Sequence, residues 1–144
     1  MDLWKTAEAI AAEASRDSGL DDRPNADPSV LAVAYLGLRL VPSKTLGPCL
    51  IEDRIYYPRG SSETLIAYAV AHEVGHFLAR ESRLRLSHAD EEAVASRIGA
   101  ALILPRRALL RDFRAGTRAV DDLVGLWPLS TARIMQRRLV ELDA

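Results

Sequence analysis

The sequence has one cysteine, no long apolar run and no excess of charge of either sign. Cys49 cannot form a disulfide within the chain, which fits a protein of a reducing compartment. No apolar run approaches the roughly eighteen residues that a membrane-spanning helix needs. The N-terminal stretch MDLWKTAEAIAAEA is acidic at once and helix-periodic, unlike a secretory signal. We therefore expect a cytoplasmic protein with no membrane partner.

The charge balance also gives no sign of a nucleic-acid partner. Nineteen basic and twenty acidic residues leave a formal net charge of −1, and the basic side chains are scattered except towards the C-terminus. A chain of 144 residues that is 49% hydrophobic fits one globular domain with a single core. No internal repeat interrupts it. We expect a single domain over residues 1–144.

The pattern of apolar and chain-breaking residues predicts a mainly helical chain with a small antiparallel sheet. The stretches LRLVPS and PCLIEDRIYYP have the composition and alternation of short strands. A long, largely buried helix follows after a cap at Ser61 or Ser62. The next predicted helix, residues 89–104, ends before Pro105. The other predicted helices cover residues 3–15, 27–37, 119–126 and 130–142.

The stretch AHEVGH places His72 and His76 four residues apart, with Glu73 directly after the first. Four helical residues advance about 6 Å and turn about 40° past a full revolution, so both imidazoles lie on one face and can reach one ion. Glu73 is rotated by about 100° from His72, which places its carboxylate beside the ion as a general base. Gly75 costs helix propensity, which suggests that another backbone packs closely there. The motif predicts a metal site for hydrolysis.

A catalytic zinc site needs a third protein ligand and leaves the fourth position to water. A third histidine six residues after His76 is excluded, because that position is serine. His88 in the next loop and the carboxylates of the following helix remain. Helical geometry does not choose between Glu91 and Glu92, since both share a stripe with apolar residues. The Glu92 stripe has the smaller side chains, which allow a closer approach of the two helices and favour Glu92.

With these two motifs the chain resembles the ImmA/IrrE family of metallopeptidases. AHEVGH is followed by Glu92 and by EAVASRIGAALILP, and the family's second motif reads roughly E-x-x-A-N-x-F-A-x-x-L-L-M-P. The resemblance extends upstream to LGLRLVPS and downstream to AVDDLVGLWPLSTARIMQRRLVEL. Ser96 stands where Asn or Asp is usual, Ile98 replaces an aromatic residue and Gly99 replaces alanine. If the usual Asn or Asp orients a ligand histidine, Ser96 would do so less firmly.

The resemblance implies an α+β, mainly helical, zincin-like single domain, with the small antiparallel sheet beside the motif helix and the C-terminal helix pair, 119–142, in the same domain. It implies a zinc-dependent endopeptidase in which His72, His76 and Glu92 bind zinc and Glu73 is the base. The substrate would be a helix-turn-helix transcriptional repressor in a stress or mobile-element response. Residues that could donate to the oxyanion or hold a ligand in place are Ser96, Tyr56, Tyr57, Tyr68 and His88.

The stretch CLIEDRIYYP leads into the motif helix. We expect one of its strands to lie at the sheet edge beside the metal, with its backbone free to pair with an extended substrate.

The C-terminal stretch VDDLVGLWPLSTARIMQRRL suggests a different function, because it resembles two helices around a tight turn. Arg133, Arg137 and Arg138 on the second helix could contact DNA as in a DNA-reading module, and the metal would then be structural. Asp121 and Asp122 oppose phosphate binding. The second helix also has the apolar pattern of a core helix.

Overall fold

The computed structural model describes residues 2–21, 27–116 and 119–143. Over these residues the chain forms the helices α1 (Leu3–Ser18), α2 (Pro28–Val30), α3 (Glu63–Glu81), α4 (His88–Ile103), α5 (Arg106–Arg114), α6 (Val120–Leu126) and α7 (Ala132–Glu141). A π-helical turn, Leu31–Tyr35, continues α2. The strands are β1 (Arg39–Ser43), β2 (Cys49–Ile51) and β3 (Arg54–Pro58). The described chain is thus mainly helical with a small sheet, as the α+β prediction requires.

The sheet is mixed, and the prediction of a wholly antiparallel sheet is wrong. β2 and β3 form the expected antiparallel hairpin, turning at Glu52 with φ 55°. β1 pairs parallel with β3, from Arg39 opposite Arg54 to Ser43 opposite Pro58. The strand order is β1-β3-β2, so the chain leaves β1, passes to the far side of the sheet and returns through its centre. The alternation of apolar and polar residues predicts where each strand lies, whereas packing against the helices decides which strands pair and in which direction.

Most predicted helices are confirmed with small shifts at their ends. Ser62 is the cap of α3, since its hydroxyl accepts a hydrogen bond from the Leu65 N–H. α5 was not predicted, although RRALLRDFR directly follows Pro105, buries Ala108 and Leu109, and packs Phe113, four residues after Leu109, against the same part of the core. Proline is well placed before a helix as well as after one, because the first helical N–H groups need no partner within the helix.

The core has two parts that meet at α3 and α4. One part packs α1, the π-helical turn and the sheet against α3 and α4, around Ile55, Val70 and Val94. The other part packs α5, α6 and α7 around Trp127 and Met135. Within the described residues no helix is both long and apolar enough to cross a lipid bilayer.

A buried ion-pair cluster joins α1, α4 and α7. Arg138 is 0% exposed and donates hydrogen bonds to both carboxylate oxygens of Glu8 and, at 3.0 Å, to the Leu104 carbonyl oxygen. Arg97 donates to Glu8 at 2.6 Å and to the Glu141 carbonyl oxygen at 3.0 Å. Burial acts to raise the pKa of Glu8, but the hydrogen bonds and charges of the two arginines outweigh it and hold this pKa below its usual value.

The cluster corrects one part of the DNA-binding alternative. Arg138 is interior and already paired, so it cannot reach a phosphate or a base edge. Arg133 and Arg137 are exposed on α7, and Asp121 and Asp122 are exposed in the first turn of α6. Of the three arginines that could contact DNA, two therefore remain exposed, and so do the two aspartates that oppose phosphate binding.

Candidate metal centre

α3 and α4 approach each other at two glycines. A Cβ added to Gly75 would lie 2.3 Å from the Ala95 carbonyl oxygen, and one added to Gly99 would lie 3.0 Å from the His72 backbone nitrogen. The close backbone contact expected at Gly75 is confirmed, and Gly99 makes the reciprocal contact from α4. The backbones of the two helices therefore set the distance between the side chains that project from them.

The three predicted ligands meet where these helices approach. His72 Nε2 lies 3.1 Å from Glu92 Oε2, and His76 Nε2 lies 2.8 Å from Glu92 Oε1. The two imidazole rings are 4.9 Å apart and nearly perpendicular, at 79°. One ligand atom from each of the three residues lies within 4.8 Å of the other two. Together they form a group that could hold a metal ion.

The separations suit a small tetrahedral ion. Ligand atoms about 2.05 Å from such an ion are about 3.3 Å apart. The observed 2.8 and 3.1 Å run to different oxygens of Glu92, and one ligand atom from each residue lies within 4.8 Å of the other two, so side-chain rotations would bring the three atoms to this spacing. Two imidazole nitrogens and one carboxylate oxygen are a donor set that zinc accepts, with a fourth position free for water or substrate. The residues present fit zinc.

Glu91 has a different position from its neighbour Glu92. Its Oε2 lies 2.8 Å from His76 Nδ1, the ring nitrogen that faces away from Glu92. Arg80 donates two hydrogen bonds to Glu91, at 3.2 and 3.1 Å. The hydrogen bond from Arg80 lowers the pKa of Glu91, partial burial opposes this, and His76 adds to the lowering. A carboxylate on Nδ1 fixes the orientation of the ring and leaves Nε2 free for an ion.

The sequence interpretation treated Glu91 as a rival ligand and missed this role. Arg80 was missed as well. The available signal was its spacing: Arg80 follows His76 by four residues, so the two share a face of α3.

Ser96 lies behind the other imidazole. Its hydroxyl is 3.2 Å from His72 Nδ1, so it occupies the place that the resemblance gives to an Asn or Asp side chain. Tyr68 lies one helical turn before His72, with its ring 6.5 Å from the imidazole. Tyr57 packs against the core. His88 is exposed at the first position of α4 and is not part of the group that could hold an ion.

Glu73 is buried, at 5% exposure, on the helix that carries both histidines. Burial raises the pKa of Glu73 above its usual value, and the negative charge of Glu92 adds to the rise. His72 and His76 act in the opposite direction. A carboxylate of raised pKa is a stronger base when ionised, and so suits a group that must accept a proton.

A cavity of about 320 Å³ opens beside His72. Its wall consists of His72, Ser96, Tyr68, Ala69, Leu65, Pro48 and Pro58. Pro48 directly precedes β2, which is an edge strand of the sheet. The expected edge strand is therefore present, and its entry borders the cavity at the candidate metal centre.

A scan against models of known protein families gives no match, and no characterised protein or solved structure is significantly similar to this chain. The resemblance to the ImmA/IrrE family thus rests on the two motifs and stays a prediction.

Proposed function

We propose that this protein is a zinc-dependent endopeptidase with a zincin-like fold. The observation that carries the proposal is the convergence of His72 Nε2, His76 Nε2 and the Glu92 carboxylate, with the buried Glu73 on the same helix. A purely structural zinc site uses four protein ligands, whereas this group supplies three. The open fourth position favours catalysis.

Each residue of the centre has a distinct part in peptide hydrolysis. A bound zinc ion supplies a Lewis acid that polarises the peptide carbonyl and makes water more acidic. Glu73 accepts a proton from the attacking water and passes it to the departing amine. Glu91, held by Arg80, and Ser96 keep the two imidazoles in their orientations. Tyr68, whose ring lies 6.5 Å from the His72 imidazole, is the donor to the oxyanion that we favour.

The substrate we propose is a helix-turn-helix transcriptional repressor. This part follows from the family resemblance. An extended segment would pair with the edge strand β2, and a flexible linker or exposed loop can adopt that conformation without unfolding a core. The cut is therefore expected in such a loop.

Glu73→Gln tests the chemistry. The variant loses the base and no ligand, so it should stay folded and bind zinc like the wild type while peptide hydrolysis falls at least about a hundredfold. Glu81→Gln, at the exposed end of the same helix, is the matched control and should keep full activity. Metal content and fragment release are measured together. Proteolysis at the wild-type rate in Glu73→Gln would remove Glu73 from the mechanism.

The family resemblance also implies that the target repressor is encoded beside the gene, so that repressor tests the substrate. The zinc-loaded protein is incubated with that repressor and, separately, with casein, and the fragments are mapped by mass spectrometry. We expect a single cut in a linker or loop of the repressor and little cleavage of casein, because binding by the rest of the partner contributes to the rate. Efficient cleavage of casein with the repressor intact would refute the repressor as substrate and leave the peptidase in place.

A further inference from the structure

The cavity beside His72, here the metal-side cavity, has a neighbour along α3. This second cavity, the α7-side cavity, measures about 360 Å³. Its wall consists of Leu65, Tyr68, Thr64, Ala100, Thr131, Ile134, Arg133 and Arg137. Leu65 and Tyr68 belong to the walls of both cavities. The two cavities therefore adjoin along α3, between the candidate metal centre and α7, and we call them together the groove.

The two ends of the groove differ in chemistry. The wall of the metal-side cavity is apolar apart from His72, Ser96 and the hydroxyl of Tyr68, and it includes Leu65, which is 58% exposed. Arg133 and Arg137 line the α7-side cavity. Arg133 has no acidic partner among residues 2–21, 27–116 and 119–143. Arg137 is exposed, and its Nε lies 3.6 Å from a carboxylate oxygen of Glu141, which is itself largely buried and also lies 3.8 Å from Arg97 and from Arg138.

We infer that the groove binds an extended polypeptide segment that has a large apolar residue next to the cleaved bond and an acidic residue near the α7 end. The inference rests on the proposed peptidase function and specifies its substrate. From His72 to Thr64, α3 spans eight residues, or about 12 Å. An extended chain covers about 12 Å in about four residues. The acidic residue should therefore lie about four positions from the apolar one.

Binding of small chelating probes tests the metal-side cavity without any cleavage. Titration calorimetry compares acetohydroxamate with a hydroxamate that carries an isobutyl group, both against the zinc-loaded protein. We expect the isobutyl compound to bind at least about tenfold more tightly, because its methyl and methylene groups enter an apolar cavity. Ala69→Leu, which fills the cavity, should abolish this advantage. Leu65→Ser changes an exposed side chain, so it leaves folding intact, and should reduce the advantage.

Peptide hydroxamates test the α7 end. Each carries leucine next to the chelating group and either Asp or Lys four residues away, in both chain directions. In one of the two chain directions, the Asp probe should bind about threefold more tightly than the Lys probe. Arg133→Glu combined with Arg137→Glu should reverse the preference. The control, Arg106→Glu with Arg107→Glu, changes two exposed arginines that line neither cavity, and should leave the preference unchanged.

The outcomes separate this inference from the proposed function. If the two small hydroxamates bind equally, or if the advantage of the isobutyl compound survives in both Ala69→Leu and Leu65→Ser, the inference of a large apolar residue in the metal-side cavity is overturned. If the Asp and Lys probes bind equally, or if Arg133→Glu combined with Arg137→Glu does not reverse the preference, the inference of an acidic residue near α7 is overturned. If the probes behave as expected and the protein cleaves no polypeptide, the peptidase proposal fails and the groove remains a peptide-binding site.

Discussion

Glu91 and Glu92 are adjacent in sequence and contact opposite nitrogens of His76. Glu92→Ala removes a proposed ligand, so we expect zinc affinity to fall by about two orders of magnitude. Glu91→Ala removes the partner of Nδ1, and a loss of about tenfold is expected. Competition with a chromophoric chelator measures both variants, with Asp90→Ala, an exposed neighbour, as control. If Glu91→Ala loses more affinity than Glu92→Ala, the two roles are exchanged.

Ser96 offers a second prediction, since its neutral hydroxyl is the partner of His72 Nδ1. Ser96→Ala should weaken zinc binding by about tenfold, because the imidazole loses the contact that orients it. Ser96→Asp should strengthen binding, since a hydrogen bond to a charged acceptor is stronger than one to a hydroxyl. The same chelator competition measures both variants. Equal affinity in all three proteins would show that Ser96 has no part in holding the ligand.

At the scale of elements, the contact between α3 and α4 makes Gly75 and Gly125 opposite cases. Replacing a helical glycine by alanine ordinarily stabilises by about 1 kcal/mol. Gly125, in α6, has nothing within 4 Å of an added Cβ, so Gly125→Ala should show that gain. Gly75→Ala places the Cβ 2.3 Å from the Ala95 carbonyl oxygen and should destabilise by about 1–3 kcal/mol. Urea unfolding measures both, and a stabilised Gly75→Ala would contradict the tight contact.

The elements also show what local sequence can predict. Short-range geometry predicts helices with a clear period and a cap, such as α3 after Ser62. It also predicts that His72 and His76 share one face of that helix. The parallel pairing of β1 with β3 does not, because it is decided by residues distant in sequence. The roles of Glu91 and Glu92 were also hard to separate, since neighbouring helical residues differ by only 100° and both face α3. α5 was not predicted, because Pro105 was interpreted only as the end of the preceding helix, although proline can also precede a new one.

At the scale of the whole molecule, the Glu8 cluster links stability to pH. Glu8→Gln leaves the buried Arg138 with only the Glu141 carboxylate, 3.8 Å away, as a counter-charge, and we expect a loss of about 3 kcal/mol at pH 7. Because the folded-state pKa of Glu8 is lowered, its contribution is fully present above its ordinary value of 4.5 and is lost as pH falls through the folded-state value.

Urea unfolding of wild type and Glu8→Gln at several pH values checks this. The difference in unfolding free energy should stay constant from pH 7 to about pH 5 and narrow only below 4.5. A difference that already shrinks between pH 7 and 6 would mean that another group, such as a histidine, controls it.

The pairing of Glu8 with Arg138 also sets an order of events during synthesis. Glu8 leaves the ribosome 130 residues before its bidentate partner. The motif residues from His72 to Glu92 are complete well before α7 exists. Until α7 is made, nothing brings the Arg138 guanidinium against α1, and the C-terminal part of the core lacks Met135. A nascent chain therefore carries the three proposed metal ligands before α7 is present to complete the ion-pair cluster that joins α1, α4 and α7.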